Sequence, residues 1–332
     1  MEQIMPFYIR QLDLELFGGC NFDCDMCPQQ NNGREKSFRK MMPWNIFTKV
    51  VDEAIELGTE AVSLHGSGEP TLCKYLPEAI KYCKDRNLKT YVFTNGYLLT
   101  PDLGKKLIDN GIDFVRISAI GYDSETYHKW MSKPVFNIVQ NNAKKFAEYT
   151  KNTDTQLHMY HLITNTENIN YELEMYKKNW VDNINAYNEI WMMHNWSGLL
   201  DDIDKNPYSR KHMTHTEKRT CGRPFSPILQ VRAGGIDNLH GAVVACCMVL
   251  GRDSEAVLGH LETNTIREVW NNKKFQDLRT KHINKLFDKI SYCKDCDQLY
   301  DVPESLVWTN IPNRKYGQSK GIRDLSFKNV VD

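Results

Sequence analysis

The sequence lacks three features that would each assign it to a broad class at once. It has no run of ~18 apolar residues, the length a membrane-crossing helix needs. It has no surplus of either charge: Lys+Arg and Asp+Glu each total 42 of 332 residues. Bulk electrostatics therefore draws it neither to nucleic acid nor to an anionic membrane. Its opening, MEQIMPFYIRQLDLELF, lacks the basic segment, apolar block and small-residue cleavage site of a secretory signal. It also lacks internal repeats and low-complexity blocks. These absences favour a cytoplasmic globular protein with no nucleic-acid or membrane partner.

Ten cysteines are present. In a reducing compartment, grouped cysteines indicate metal or catalytic chemistry before disulfides. Three of them, Cys20, Cys24 and Cys27, fall within FGGCNFDCDMCPQQ, directly after a stretch in which Leu12, Leu14 and Leu16 alternate with Asp13 and Glu15. The alternation predicts a strand, so the thiols sit on a loop leaving it.

Apolar periodicity predicts a helix over Pro43–Leu57, stopped by Gly58, and then a repeating strand–helix pattern. Strands are expected at 61–64, 89–93, 113–120, 157–163 and 189–193, with helices near 75–86, 103–110, to 150, and 167–180. About six β-α units between residues 10 and 195 imply a parallel sheet, open or partly closed. In a parallel barrel, functional groups collect on the loops after the strands. The thiol trio follows strand one, HGSGEP strand two and TNG strand three, so all three loops converge on one mouth.

Residues 196–220 are polar and read as a linker. From Cys221 the pattern changes: ILQVRAGG and GAVVACCMVLG predict a hairpin, TIREVWNNKKFQDLR a helix over 265–279, and YCKDC follows. After Tyr300 the tail reads as polar and irregular.

The spacing C-x3-C-x2-C suits neither the common zinc spacings nor a disulfide framework. Iron–sulfur clusters normally take four cysteine ligands, so three would leave one iron open. Cys20, Cys24, Met26 and Cys27 resemble the hallmark of the radical S-adenosylmethionine (SAM) superfamily, and Gly66-Ser67-Gly68-Glu69-Pro70 resembles its G-x-G-E-P turn. The resemblance implies a SAM-binding 4Fe–4S cluster on the three thiols. The G-x-G-E-P turn would hold the SAM amino group and Met26 a wall of the adenine site. Thr94, Asn95, Ser118 and Gly121 would lie toward ribose and carboxylate.

Cys221, Cys246, Cys293 and Cys296, with Gly241 between the first two, resemble the Twitch form of the SPASM extension. The resemblance implies a second 4Fe–4S cluster, with a four-thiolate zinc site as the alternative. Cys73 and Cys83 read as buried structural thiols.

The implied architecture is a partial (β/α)6 TIM-like barrel over 1–200, a linker over 201–220, a small α+β Twitch/SPASM-like domain over 221–300, and a polar tail over 301–332. The implied chemistry is hydrogen abstraction by a 5′-deoxyadenosyl radical, fed by an external flavodoxin- or ferredoxin-type reductant. Two-electron dehydrogenation of a small molecule such as a sugar or aminocyclitol leads. The layout is similar to that of 2-deoxy-scyllo-inosamine dehydrogenases, and the first strand begins too early to leave room ahead of it for a peptide-recognition domain. Epimerisation, with Cys247 returning a hydrogen atom, and peptide or protein modification are the alternatives. An iron–sulfur or zinc protein without catalysis is the reading from another class. His65 and Arg116 are candidate substrate or proton-handling residues. His158 or His161, on strand five, could also reach the barrel mouth. Alternation along the second hairpin strand predicts that Cys247 points away from Cys246.

Overall fold

A computed structural model describes residues 7–28, 39–199, 218, 220–235, 238–249, 255–299 and 306–312. Almost all of the predicted linker, with Pro207, His212 and His215, lies outside these residues. So does the tail beyond Pro312.

The elements run β1 (Gln11–Leu14), α1 (Trp44–Glu56), β2 (Ala61–Ser63), α2 (Leu76–Lys84), β3 (Lys89–Thr94), α3 (Pro101–Asp109), β4 (Phe114–Ser118), α4 (Ser124–Met131), α5 (Phe136–Thr150), β5 (Gln156–Leu162), α6 (Ile169–Asn179) and β6 (Tyr187–Trp191). They continue with β7 (Ile228–Gly234), β8 (His240–Val244), β9 (Val257–His260), α7 (Ile266–Asn271), α8 (Lys273–Ile283) and β10 (Leu306–Thr309). One open sheet holds all ten strands in the order β10-β6-β5-β4-β3-β2-β1-β7-β8-β9. The first six are parallel, the geometry of a partial barrel.

Local chemistry explains the boundaries. Helix α1 buries Ile46, Phe47, Val50, Val51 and Ala54, one stripe at helical spacing, and Gly58 follows it at φ +87°. Asp123 and Thr126 form a capping box at α4, and Thr100 caps α3 ahead of Pro101. The helix expected over 265–279 is two helices. Asn272 adopts an extended backbone, and its side chain accepts from Phe275 N to start α8.

Two strands were not read from the sequence. β9 is the third strand of the antiparallel extension, and β10 pairs antiparallel with β6 inside the stretch read as an irregular tail. Its short LVWT sequence is β-branched and aromatic, which suits a half-buried edge. The second hairpin strand also stops earlier than expected, at Val244, before the paired cysteines.

The alternation on β1 does not separate core from solvent. Gln11, Asp13 and Glu15 are 0%, 5% and 3% exposed, and so are as buried as the leucines between them. The leucines join the main core beneath the helices, and the polar set faces the sheet's inner side. Across the sheet, Asp13 is level with Ser63 and Gln230, and Phe93 is level with Arg116.

Among the described residues, the helix-side layer holds a buried acid. Glu172 of α6 is fully buried, with Oε1 2.8 Å from His161 Nε2. It accepts from Thr164 Oγ1 at 2.7 Å and from the Thr164 and Asn165 backbone N–H groups at 2.8 Å each. Burial pushes its pKa up, but the bonds from His161 and Thr164 more than offset this and hold it below the ordinary carboxylate range. A depressed folded pKa contributes stability that is complete above the unfolded value of ~4.3 and is lost as pH falls through the folded value. Glu172→Ala should cost about 3–5 kcal/mol at neutral pH in urea unfolding, because it strands several buried donors. The deficit relative to wild type should shrink below about pH 4. A deficit unchanged at low pH would show that the ionised carboxylate is not what matters.

Candidate active site

The loop after β1 carries the first three thiols, all half-buried and none in a disulfide. An isolated bridge from Phe17 to Met41 and a bond from Gly18 N to Lys40 O (2.9 Å) anchor its start. Phe22 N donates to Cys20 Sγ at 3.4 Å, and Asn95 Nδ2 lies 3.9 Å from the same sulfur. Cys27 N bonds Cys24 O at 3.0 Å, folding those two cysteines into one turn. N–H groups aimed at sulfur suit a thiolate cluster ligand, whose potential they tune. Among the described residues, no three His, Cys, Asp or Glu side chains are gathered at the distance of a single ion.

HGSGEP lies directly against this loop. Glu69 N donates to Gly19 O at 2.8 Å. A Cβ on Gly68 would stand 1.9 Å from Phe17 O, and one on Gly66 would stand 2.4 Å from Glu15 Oε2. The glycines therefore answer a need for close approach. Glu15, which the sequence reading passed over, is the clamp. Its Oε2 accepts from the Ser67 and Gly68 N–H groups, the latter at 3.1 Å, and its Oε1 accepts from Ala233 N at 3.0 Å. The available signal was its polar character at the last alternating position before the thiols.

Glu69 is 3% exposed and fully engaged. Oε1 accepts from Thr71 N, Thr71 Oγ1 and Thr94 Oγ1 at 3.1, 2.6 and 2.6 Å, and Oε2 from Asn95 N at 2.8 Å. Burial raises its pKa, and these bonds oppose the rise. Thr94 and Asn95 are thus spent on internal wiring: the Asn95 amide donates to Asn21 Oδ1 at 2.8 Å, and its Oδ1 takes Tyr97 N at 3.0 Å. Met26 packs in the main core, as do Cys73 and Cys83. Burial pushes Cys83 up to about 12, as expected of an inert thiol.

The inner face of the sheet gathers charge. Asp13 accepts from Gln11 Nε2 at 2.6 Å and from Gln230 Nε2 at 2.5 Å, and burial raises its pKa. His65 Nδ1 lies 2.5 Å from Ser63 Oγ, and its ring centroid is 4.2 Å from that of Phe93. Burial, then the Arg116 and Arg232 guanidinium groups, hold His65 well below its usual pKa, so it is neutral. Arg116 and Ser118 share this face, while Val115 and Ile117 are fully buried on the other. Of the two strand-five histidines, His158 stacks near Phe114 and Tyr187, whereas His161 turns into the helix layer toward Glu172. His161 therefore does not reach the mouth.

The other four thiols meet at one cavity. Cys221, Cys246, Cys293 and Cys296 line about 390 Å³ of empty space, part of it open to solvent, together with Arg223, Met248 and His282. Burial raises the pKa of Cys246, Cys293 and Cys296, which opposes leaving them as bare thiolates without a cation. Four soft donors around one pocket fit a fully ligated cluster. Cys247 does not line the cavity. The strand has ended by then, so alternation is not the cause. The turn at Cys247–Met248 aims its Sγ at Arg223 Nη1, 2.7 Å away. Arg232 fixes this turn by donating to Cys247 O at 3.2 Å and Val249 O at 3.1 Å.

Comparison with known proteins agrees with this arrangement. Residues 14–177 match the radical SAM superfamily and residues 238–297 match SPASM, an iron–sulfur cluster-binding domain. A probable GTP 3′,8-cyclase of Methanococcus maripaludis is 32% identical over 148 residues, 45% of this chain and 49% of that protein. A cofactor-modifying protein for the tungsten-containing aldehyde ferredoxin oxidoreductase of Pyrococcus furiosus is 26% identical over 148 residues, 44% of this chain and 41% of that one. Each match thus spans half or less of the relative's length. Among solved structures, BtrN in complex with AdoMet and 2-DOIA aligns at TM-score 0.58 with 18% identity, over 88% of this chain and 94% of that one. SuiB of Streptococcus suis, bound to its precursor peptide SuiA, aligns at 0.59 with 16% identity, over 83% and 68%. At these identities the likeness is one of fold. The chain thus carries a radical SAM superfamily domain over residues 14–177 and, after its barrel, an iron–sulfur cluster-binding SPASM domain over residues 238–297.

Proposed function

We propose that this radical SAM enzyme is an oxidoreductase that removes two electrons from a small polar substrate held in the barrel lumen. In this reading Cys20, Cys24 and Cys27 hold the SAM-binding cluster, and Cys221, Cys246, Cys293 and Cys296 hold an auxiliary 4Fe–4S cluster. When bound, these groups supply a 5′-deoxyadenosyl radical that takes one hydrogen atom and an acceptor for one electron. The carrying observation is that the four later thiols line a single cavity. Four protein ligands leave no open position, which suits an electron store better than a substrate-binding Lewis acid.

The chain's own residues then have distinct tasks. The backbone of Gly66–Gly68, held by Glu15, faces the SAM amino group, since the Glu69 carboxylate is already occupied. Ser118 lies toward the SAM carboxylate and ribose, and Met26 beside the adenine. Thr94 and Asn95 position the loop that does so. Oxidation of an alcohol also releases a proton, and neutral His65 faces the lumen to take it. The arrangement favours oxidation over epimerisation, because the Cys247 sulfur is engaged by Arg223. No helix among the described residues is long and apolar enough to cross a membrane. A cytoplasmic setting with a flavodoxin- or ferredoxin-type reductant fits this chemistry.

Anaerobic reconstitution with iron and sulfide should load roughly eight irons per chain, as two 4Fe–4S clusters require. The loaded protein should release 5′-deoxyadenosine only when dithionite is added. With substrates deuterated at the reacting carbon, the label should appear in 5′-deoxyadenosine, and the product should be lighter by the two hydrogens lost. About half that iron, or zinc, without SAM cleavage would sink the reading. An isomer of unchanged mass would replace oxidation with epimerisation.

A further inference from the structure

Among the described residues, Arg116 is the one lumen guanidinium without a polar partner. Its neighbours on β4 are buried on the helix side, so its side chain enters the lumen. The guanidinium carbon stands 3.7 Å from the Phe93 ring centroid and 4.5 Å from that of Tyr160. The rings hold the guanidinium without satisfying any N–H. Among the described residues Arg116 makes no hydrogen bond and no ion pair, and its Nε is buried with no partner.

The surrounding charges are committed elsewhere. Asp13 is held by Gln11 and Gln230, Glu15 by the Ser67, Gly68 and Ala233 N–H groups, Arg223 by Cys247, and Arg232 by two backbone carbonyls. Glu189 of β6 lies within electrostatic reach of Arg116. Burial of a cation in so enclosed a place lowers its pKa on balance: it outweighs the opposing effect of Tyr160, Glu189, Cys247 and Asp13 nearby, and ring contacts offset the cost only in part. A planar fork of donors matches a carboxylate or a phosphate, either of which accepts two parallel bonds.

We propose that Arg116 receives an anionic group, a carboxylate or a phosphate, on the molecule oxidised in the lumen. This rests on the oxidoreductase reading only in placing the substrate there. It narrows the substrate to small acids or phosphate esters with an oxidisable C–H bond.

The test is calorimetric binding to the anaerobically reconstituted full chain with SAM present, using glycerol 3-phosphate, glycerate and glycerol as probes. A charge-assisted bond predicts that at least one anionic probe binds about 10–100-fold more tightly than glycerol. Preference for glycerol 3-phosphate would assign a phosphate, and preference for glycerate a carboxylate. Arg116→Met should erase the preference, and Arg116→Lys, which keeps the charge but not the fork, should fall between.

Equal binding of all three probes by the wild type would overturn the proposal, whatever the variants do. So would a preference that survives in Arg116→Met, or a loss of SAM affinity in that variant with probe ranking unchanged. Iron content and thermal midpoint report whether each variant is folded. Anion preference without 5′-deoxyadenosine release would uphold the site and reject the radical chemistry, so the two readings fail separately.

Discussion

Cys221→Ala should leave SAM cleavage standing while removing net oxidation. Cys221 lies just ahead of β7, at the cavity shared with Cys246, Cys293 and Cys296. The loop that carries Cys20, Cys24 and Cys27 is held by separate contacts to Lys40, Met41, Asn95 and Glu69. Losing one thiol from the second set therefore does not loosen the first. Dithionite-dependent release of 5′-deoxyadenosine is expected to stay near wild type. Oxidised product per 5′-deoxyadenosine is expected to fall at least about tenfold, equivalent to 1.4 kcal/mol or more on the productive barrier. The measurement is the ratio of the two products by mass spectrometry in one reaction. Product formation that kept pace with cleavage would show that the electron leaves by another route.

Gly68→Ala is expected to act on the other half of the reaction. The added methyl would meet Phe17 O at 1.9 Å, Gly19 O at 2.7 Å and Gly18 C at 2.8 Å, and all three are backbone atoms. No rotamer change relieves a clash with backbone, so the GSGEP loop must retreat from the thiol loop. A displacement of ~1 Å at a positioning element can cost ~100-fold, and 5′-deoxyadenosine formation should fall by about that factor. Iron content should hold, because the thiols themselves are unchanged. Gly222→Ala is the control, since a Cβ there meets nothing within 4 Å. Normal cleavage by Gly68→Ala would mean that the close approach of the two loops is not needed for SAM.

Much of this organisation was legible in the residues. The parallel strand–helix repeat showed because each unit carries its own period and its own stop, such as Gly58 after α1 and the Asp123 cap of α4. GSGEP showed because close backbone approach restricts residue type, and the thiol trio because three cysteines in eight residues stand out. What stayed hidden depends on partners distant in sequence. The Asp13 and Glu15 alternation marks a strand, but nothing in it announces that both of its faces are enclosed. His65 and His161 look alike in one dimension. The register sends the first to the lumen and the second to Glu172. Cys247 was expected to turn away by strand alternation and does turn away, but for a different reason: the strand ends at Val244 and a turn with Arg223 sets its direction. β10 was missed because four residues of LVWT have no period long enough to read, and only the open edge of β6 makes them a strand.

The pairing of β1 with β7 has a mechanical consequence. The two strands are adjacent and parallel in one ladder, with Gln11 level with Ile228 and Leu14 with Val231. One thiol loop leaves the end of β1, and the hairpin begun by β7 leads to Cys246. β8 runs back beside β7 with Val244 level with Gln230, so Cys246 lies toward the start of β7, whereas the thiol loop leaves the far end of β1; one ladder, rising ~3.3 Å per residue, holds the two sites apart along its strands. In the proposed reading, the electron passed to the second site crosses a gap framed by this ladder. At the opposite edge of the sheet, β10 joins β6 through a shifted register between Leu306 and Trp308.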